Sequence, residues 1–157
     1  MVTRLKREPA WARHLAPLLV DTPGLPELLD EVDLIVPIPL SPARLRERGY
    51  NQAWELTRAL RRLLPGKAEA LPDLLRRRPQ AAVQHELERA QRFANMAQAY
   101  AVVPARQSHL RQCHVLLIDD VMTTGATLEA AAAVLLEAGA ARVSALVLAR
   151  TPAPETD

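Results

Sequence analysis

One segment constrains the fold of this chain more than any other, because a buried strand, acidic residues and a helix start follow one another in it. His114 is followed by four apolar residues at 115–118 and then by Asp119 and Asp120. The sequence Thr-Thr-Gly-Ala-Thr occupies 123–127. A short apolar run without alternation predicts a strand buried on both faces. Gly125 tolerates a positive φ, and the alanine- and leucine-rich stretch from 127 predicts a helix. This succession is typical of α/β proteins with a parallel sheet.

The rest of the chain repeats the alternation of strand and helix patterns, which predicts a twisted, mainly parallel sheet flanked by helices. We expect strands at 33–38, 74–78, 99–103, 114–118 and 142–149, helices at 11–20, 50–64 and 127–138, and a long, partly helical loop at 79–92. The length of 157 residues suits one domain. We expect that domain to span 1–150, followed by a flexible tail at 151–157.

Composition excludes several classes of protein. Aromatic residues make up only 3% of the chain, so the core must be aliphatic, and Cys113 is the single cysteine. One cysteine excludes an intramolecular disulfide framework and a zinc site of several thiolates, and it fits a reducing compartment. The apolar runs fall short of the roughly 18 residues that a membrane span needs. The basic start has no apolar segment behind it, so we expect no signal peptide and a cytoplasmic location.

Charge is distributed unevenly along the chain. Residues 40–92 hold 12 basic and 6 acidic side chains, whereas residues 113–157 hold 2 basic and 6 acidic ones. A basic middle segment suits an anionic partner such as phosphate, pyrophosphate or a nucleic-acid backbone. The alternative, that the arginines are ordinary solvated side chains, stays open for each arginine taken alone.

The end of the strand at 114–118 carries groups that suit a sugar phosphate. Ligands of open parallel sheets bind at the carboxyl ends of the strands. Free N–H groups at a helix start carry positive partial charge, and with the threonine hydroxyls of 123–127 they form a cradle of phosphate size. Asp119 and Asp120 can accept hydrogen bonds from a sugar diol or hold the water shell of Mg²⁺. The segment therefore predicts a ribose 5-phosphate pocket; the alternative is a polar turn in which an aspartate caps the helix.

Residues 115–127 resemble the phosphoribosyl-pyrophosphate (PRPP) signature of type I phosphoribosyltransferases, in which a hydrophobic strand precedes Asp-Asp and Thr-Thr-Gly-Ala-Thr. The resemblance implies a type I phosphoribosyltransferase-like α/β fold. It implies that Asp119 and Asp120 are the catalytic residues that contact the ribose hydroxyls. It also implies that the 5-phosphate is bound by Thr123, Thr124, Gly125, Ala126 and Thr127. Mg²⁺ would enter with PRPP, with water bridging it to Asp119 or Asp120, and would have no direct protein ligand.

Two further segments are similar to the ComF (GntX-like) group of this superfamily. The first is Val-Pro-Ile-Pro-Leu at 36–40 with Arg-Leu-Arg-Glu-Arg-Gly-Tyr-Asn-Gln-Ala at 44–53; the second comprises Gln84, Leu87, Arg89, Arg92, Asn95, Ala99 and Tyr100. The resemblance implies a pyrophosphate-binding loop formed by Pro37, Ile38, Pro39, Leu40 and Arg48. It also assigns to the site several residues near a helix start or on a flexible lid. These are Asn51, Gln52, Gln84, Arg89 and Arg92.

Each of these assignments has a simpler alternative. The arginine-rich stretch at 44–52 could be a surface turn before a helix, and the stretch at 79–92 could be a helix with surface ion pairs. The prolines at 37 and 39 stiffen the exit of the strand, where one peptide bond could be cis.

The resemblance implies displacement of pyrophosphate from C1 of PRPP by an acceptor that the sequence does not name. Three functions stay open: an active phosphoribosyltransferase; a PRPP-binding protein of DNA uptake (natural transformation), with single-stranded DNA or a competence protein as partner; and a PRPP-sensing regulator without turnover. ComF proteins typically begin with a cysteine zinc module, which this chain lacks, so we expect either a truncated chain or a shorter relative. The oligomeric state is open.

Overall fold

The computed structural model describes residues 10–79 and 98–151. Its strands are β1 (Leu34–Pro37), β2 (Glu69–Ala70), β3 (Leu75–Arg77), β4 (Tyr100–Val102), β5 (His114–Met122) and β6 (Arg142–Arg150). Four of them form a parallel sheet in the order β2-β1-β5-β6. The other two, β3 and β4, pair antiparallel in a separate small sheet. The prediction of a mainly parallel α/β sheet is confirmed.

Helices cover both faces of the main sheet. They are α1 (Trp11–Leu15), α2 (Pro17–Val20), α3 (Leu25–Glu31), α4 (Pro42–Arg48), α5 (Gln52–Leu63) and α6 (Ala126–Glu137), with a 3-10 helix at Pro104–Leu110. The predicted helix at 11–20 is interrupted near Pro17, as expected. The sequence reasoning missed α3 and α4, both of which carry a proline in the first turn. Proline is compatible with that position because the N–H it lacks would have no partner within the helix.

Alternate residues of β5 point into two separate apolar clusters. Val115 and Leu117 pack with α6 and β4 on one face of the sheet. Leu116 and Ile118 pack with α1, α3 and α5 on the other face. The core is aliphatic as expected, with two large aromatic exceptions, Trp11 and Tyr100, that are almost fully buried.

Helix α5 shows how the sequence pattern places a buried face. Its residues Ala53, Leu56 and Leu60 are buried against the sheet, as their spacing predicts. Leu63, in the last turn of the helix, is 45% exposed. Asn51 starts the helix by accepting a hydrogen bond from Trp54 N at 3.3 Å through its Oδ1.

The strand predicted to end at Ile118 continues to Met122, which corrects its boundary. Strand β6 keeps pairing with it, with Val121 opposite Ala149 and Met122 opposite Arg150. Both aspartates of the central motif therefore lie within the strand, and the loop before α6 consists only of residues 123–125. The length of β5 was missed because cross-strand pairing, rather than the local apolar pattern, sets it.

Some predictions concern residues outside the described part of the chain. These are the lid residues Gln84, Arg89 and Arg92 and most of the tail at 151–157. The peptide bonds before Pro37 and Pro39 are trans, so the cis bond considered there is absent. In the described ranges, no helix combines the length and the apolarity needed to cross a membrane.

Candidate functional site

The carboxyl ends of β1 and β5 lie side by side. Pro37 stands opposite Ile118 in the parallel register, and Ile38 N donates to Ile118 O at 2.9 Å. The segment at 37–40 and the aspartates that follow Ile118 therefore share one edge of the sheet. The structure thus brings together two of the segments that sequence reasoning assigned to one site.

Asn51 supports the segment that leaves β1. Its Nδ2 donates to Ile38 O at 3.0 Å, while its Oδ1 caps α5. Both backbone groups of Ile38 are therefore engaged, and proline has no N–H to offer. Within 37–40, the N–H of Leu40 is the backbone donor left for a ligand. Gln52, also assigned to the site, is only 3% exposed, so the structure does not place its side chain in an open pocket.

The two aspartates face opposite sides of the sheet, because successive side chains of a strand alternate. Asp119 follows Leu117 on the α6 side, and Asp120 follows Ile118 on the α5 side. Their different neighbours agree with this: Tyr100 lies in the electrostatic field of Asp119, and Tyr50 in that of Asp120. In addition, Asp119 Oδ1 accepts a hydrogen bond from Asp120 N at 2.8 Å.

Two tyrosines flank this acidic pair, and sequence reasoning gave neither a role. Burial raises the pKa of Tyr100; Arg77 opposes the shift, and Asp119 adds to it. Burial also raises the pKa of Tyr50, against the opposing effects of Trp11 and Arg48. Both phenols therefore stay protonated at neutral pH, where each can donate and accept hydrogen bonds.

Helix α6 begins without a side-chain cap. Gly125 precedes it with φ of 85°, a left-handed conformation that glycine adopts without cost. Glu129 N donates to Gly125 O at 3.0 Å, so the N–H groups of 126–128 come before the first helical hydrogen bond. Only a weak contact of 3.4 Å joins Ala126 N to Thr124 Oγ1. The N–H groups of 126–128 are thus grouped at the helix start, next to the exposed residues Thr123 and Thr124.

Glu129 is a neighbour of this helix start that sequence reasoning did not consider. Its Oε1 lies 4.0 Å from the position that a Cβ on Gly125 would take. A carboxylate in the first turn stabilises the helix dipole, and it opposes the approach of an anion to the same N–H groups. The charge balance at the helix start therefore depends on Glu129 as well as on the threonine loop.

Helix α4 presents arginines beside the aspartates. It has no buried residue, and its side chains include Arg44, Arg46 and Arg48. The charge of Arg44 contributes to lowering the pKa of Tyr100, and that of Arg48 to lowering the pKa of Tyr50. In the described ranges, the ion pairs are Arg58–Glu55, Arg106–Asp73 and Arg142–Glu31, none of which engages α4.

Residues at the start of β5 form hydrogen bonds within the fold. His114 is buried, and its Nε2 lies 2.8 Å from Ser144 Oγ. Its backbone N donates to Asp33 Oδ2 at 2.8 Å, and Cys113 Sγ donates to His109 O at 2.9 Å. Over 10–79 and 98–151, no group of three or more His, Cys, Asp or Glu side chains has a metal-binding arrangement.

Comparison with known proteins adds independent information. The model of the phosphoribosyl transferase domain family matches residues 59–157. Competence protein ComFC of Bacillus subtilis is 33% identical over 123 residues, which are 78% of this chain and 46% of that protein. DNA utilization protein YhgH of Escherichia coli K12 is 34% identical over 119 residues, 76% of this chain and 50% of that protein. Competence protein F of Haemophilus influenzae is 31% identical over 118 residues, with 75% and 50% covered. The chain thus spans about half the length of these relatives.

Proposed function

Because this chain belongs to the ComF group of the phosphoribosyl transferase family, we propose that it binds PRPP together with Mg²⁺ at the carboxyl ends of β1 and β5. One observation carries the proposal. The adjacent ends of these strands bring an acidic pair, an uncapped helix start and an arginine-bearing helix to one edge of the sheet. These groups match a diol, a phosphate and a pyrophosphate respectively.

The proposed assignment follows the three parts of the ligand. The 5-phosphate binds the N–H groups and hydroxyls of 123–127, and the ribose hydroxyls bind Asp119 and Asp120. The pyrophosphate lies along 37–40, where it meets the N–H of Leu40 and the guanidinium of Arg48. Mg²⁺ would be held by the substrate's phosphates with Asp119 or Asp120 nearby, since this ion prefers phosphates with one or two carboxylates. Outside the described residues, Gln84, Arg89 and Arg92 are proposed as a lid.

The proposed reaction is nucleophilic substitution at C1 of PRPP. The C1–O bond to pyrophosphate breaks, its electron pair leaves with pyrophosphate, and an acceptor atom forms a new bond to C1. Positive charge grows on the ribose during this step. Asp119 and Asp120 hold the ring near that charge, while the guanidinium of Arg48 stabilises the charge on the leaving group. Mg²⁺ bound with PRPP would add positive charge at the same place.

Calorimetric titration with PRPP and Mg²⁺ tests the binding site. Asp119→Asn and Asp120→Asn should each weaken binding by about tenfold or more, the loss expected for a hydrogen bond to a charged group. Glu31→Gln is the matched control, because it neutralises an exposed carboxylate whose partner, Arg142, starts β6 at the opposite end of the sheet. Unchanged affinity in both aspartate variants would reject the proposed diol contact.

A second proposal, a role in DNA uptake, rests on the relatives and on α4. The relatives are called competence and DNA utilization proteins, and α4 is a wholly exposed helix with three arginines. Labelled single-stranded DNA should bind with an affinity that falls as salt rises, because phosphate contacts release counterions. Arg46→Gln should reduce the salt dependence; a salt-independent signal would contradict this role.

Turnover separates an enzyme from a regulator. An active transferase should release pyrophosphate from PRPP only when an acceptor is present, whereas a PRPP sensor should bind PRPP without release. We propose the active enzyme, so a screen of nucleobase and amine acceptors should give acceptor-dependent pyrophosphate. Tight PRPP binding with no release across the screen favours the regulator instead.

A further inference from the structure

We propose that the outer edge of β6, the side of the strand that does not face β5, is an interface at which a second copy of this chain pairs with the same strand. The two strands run antiparallel about Ala145, and the two four-stranded sheets join into one continuous sheet. The inference concerns no residue assigned to PRPP, so it does not rest on the proposed function.

The two edges of the main sheet differ in length and in composition. Strand β2, at one edge, has only two residues. Strand β6, at the other edge, has nine, and its stretch 143–149 contains no charged residue and no proline. Natural sheets keep edge strands short or place charges and proline in them, because an open edge pairs readily with another strand. The long, uncharged edge at β6 therefore favours a partner strand.

The side chains of β6 have the pattern of a strand inside a sheet. Val143 and Val147 pack with the apolar cluster on the α6 face, and Leu146 and Leu148 pack with the cluster on the α5 face. Strands that are apolar on both faces are typical of sheet interiors. Yet Ala145 is exposed, and both valines are only partly buried. Within 10–79 and 98–151, no strand pairs with the outer edge of β6.

The hydrogen bonds of β6 identify the backbone groups at this edge. Arg142 N donates to Cys113 O at 3.4 Å where the pairing with β5 begins, so the backbone groups of Arg142 face β5. Backbone groups of successive residues point to alternate sides of a strand. The N–H and C=O of Val143, Ala145 and Val147 therefore point to the outer edge. The pairing with β5 is interrupted after Val147, so we confine the proposed contact to 143–147.

A second copy of β6 satisfies these groups in one register. In an antiparallel pair centred on Ala145, Val143 of one copy lies opposite Val147 of the other, and the two copies of Ala145 meet at the two-fold axis. All three are hydrogen-bonded pairs, so each N–H and C=O that points outward gains a partner. The small side chain of Ala145 leaves room for its own copy, and the valine pairs bury apolar surface on the α6 face.

Charge favours this register and this partner. A pair centred on Leu146 would set Arg142 of each copy against Arg150 of the other, and like charges directly opposite each other destabilise strand pairs. Centring on Ala145 places Arg142 opposite Leu148 instead. The stretch between the two arginines has no charge with which to select an oppositely charged strand, whereas an equally neutral copy of itself complements it. A two-fold dimer is also the commonest symmetry of soluble oligomers.

Sedimentation velocity of the full chain measures the association. We expect the mass of two chains at high protein concentration and a shift to the mass of one chain on dilution. Ala145→Lys sets two ammonium groups side by side at the axis and should raise the dissociation constant by about tenfold or more. Ala105→Lys is the matched control, because it adds the same charge to an exposed alanine of the 3-10 helix. It should leave the association unchanged, and circular dichroism verifies that both variants fold.

Cross-linking tests the register independently of Ala145→Lys. In a Cys113→Ser background, Ala145→Cys places two thiols at the axis, where opposite Cα atoms are about 5.5 Å apart, a separation that a disulfide spans. Oxidation by dissolved oxygen with a copper catalyst should give a covalent dimer. Ala149→Cys in the same background is the control: residue 149 lies opposite residue 141 in this register, so the two introduced thiols are too far apart to join.

The outcomes that contradict the inference are distinct from those that bear on PRPP. A chain that stays monomeric at every concentration would overturn the inference, whatever covers the outer edge of β6. A dimer that withstands Ala145→Lys, or that cross-links as readily through Ala149→Cys as through Ala145→Cys, would also overturn it. PRPP affinity is measured separately, and its loss or absence would count against the proposed function alone.

Discussion

Asn51 offers the sharpest test of how the fold supports the site, because one variant can remove one of its two hydrogen bonds and another can remove both. Its Oδ1 caps α5 at Trp54 N, and its Nδ2 donates to the carbonyl of Ile38. Serine at this position keeps a capping oxygen but cannot donate across to Ile38. Alanine removes both bonds. Comparison of Asn51→Ser with Asn51→Ala therefore divides the contribution of Asn51 into a support for the β1 exit and a helix cap.

The expected magnitudes follow from the exposure of each bond. Loss of the donor to Ile38 should cost about 1 kcal/mol, because the carbonyl is only partly buried and water can replace part of the bond. Loss of the cap adds about 1 kcal/mol. We therefore expect the free energy of unfolding to fall by about 1 kcal/mol in Asn51→Ser and by about 2 kcal/mol in Asn51→Ala.

Urea unfolding followed by circular dichroism provides the measurement, since a shifted midpoint at constant slope reports stability alone. For stability, Ser41→Ala is the matched control: it removes a cap of 3.3 Å from the exposed helix α4 and has no partner on β1. Pyrophosphate affinity should also fall in both Asn51 variants, because each loses the hydrogen bond that supports the segment at 37–40. If Asn51→Ser is as stable as the wild type and binds pyrophosphate equally well, the Asn51–Ile38 bond does not support the site.

Three further predictions concern charge. Glu129→Gln should tighten ribose 5-phosphate binding by about two- to fivefold, because it removes a like charge from the helix start; equal or weaker binding would contradict this. Burial, followed by the charge of Asp33, raises the pKa of Cys113, so the pH midpoint of its alkylation rate should be higher in the folded chain than in the urea-unfolded chain, and an equal or lower midpoint would refute the burial argument. The hydrogen bond from Arg106 lowers the pKa of Asp73 below 3.8, so the pair stabilises the fold above the unfolded pKa, and this contribution disappears as pH falls through the lower folded value. Since both side chains are exposed, Arg106→Met should cost under about 1 kcal/mol at pH 7 and less in acid, and a cost that does not shrink as pH falls would exclude the ion pair as its cause.

Local signals predicted the elements that local interactions determine. The apolar core of β5 and the start of α6 at Gly125 follow from residue type and from turn chemistry, and both are present in the structure. The pairing of β2 could not be predicted, because it has two residues and exists through its hydrogen bonds with β1. The antiparallel pairing of β3 with β4 was missed for the same reason, since it joins segments that are distant in sequence.

The candidate site shows the same division between local and distant information. The sequence places the Asp-Asp pair and the threonine loop, because they are contiguous with the strand. It does not place Tyr100, which packs in one cluster with Leu128 and Ala131 because the small sheet lies against α6. Glu129 could have been found from the sequence, since any residue in the first turn of a helix acts on an anion bound there.

Because β5 extends to Met122, the acidic pair can bind a sugar only in a restricted orientation. Two aspartates in a flexible loop could turn to the same side, whereas consecutive side chains of a regular strand alternate between its two sides. Asp119 then shares the side of Tyr100 and the phosphate cradle, while Asp120 shares the side of Tyr50 and Arg48. In the proposed complex, a ribose held by both carboxylates would lie across the end of the strand, with its 5-phosphate toward α6 and its C1 toward α4. That orientation brings the leaving pyrophosphate to the arginines and the segment at 37–40, so the alternation of one strand accounts for the direction in which PRPP would bind.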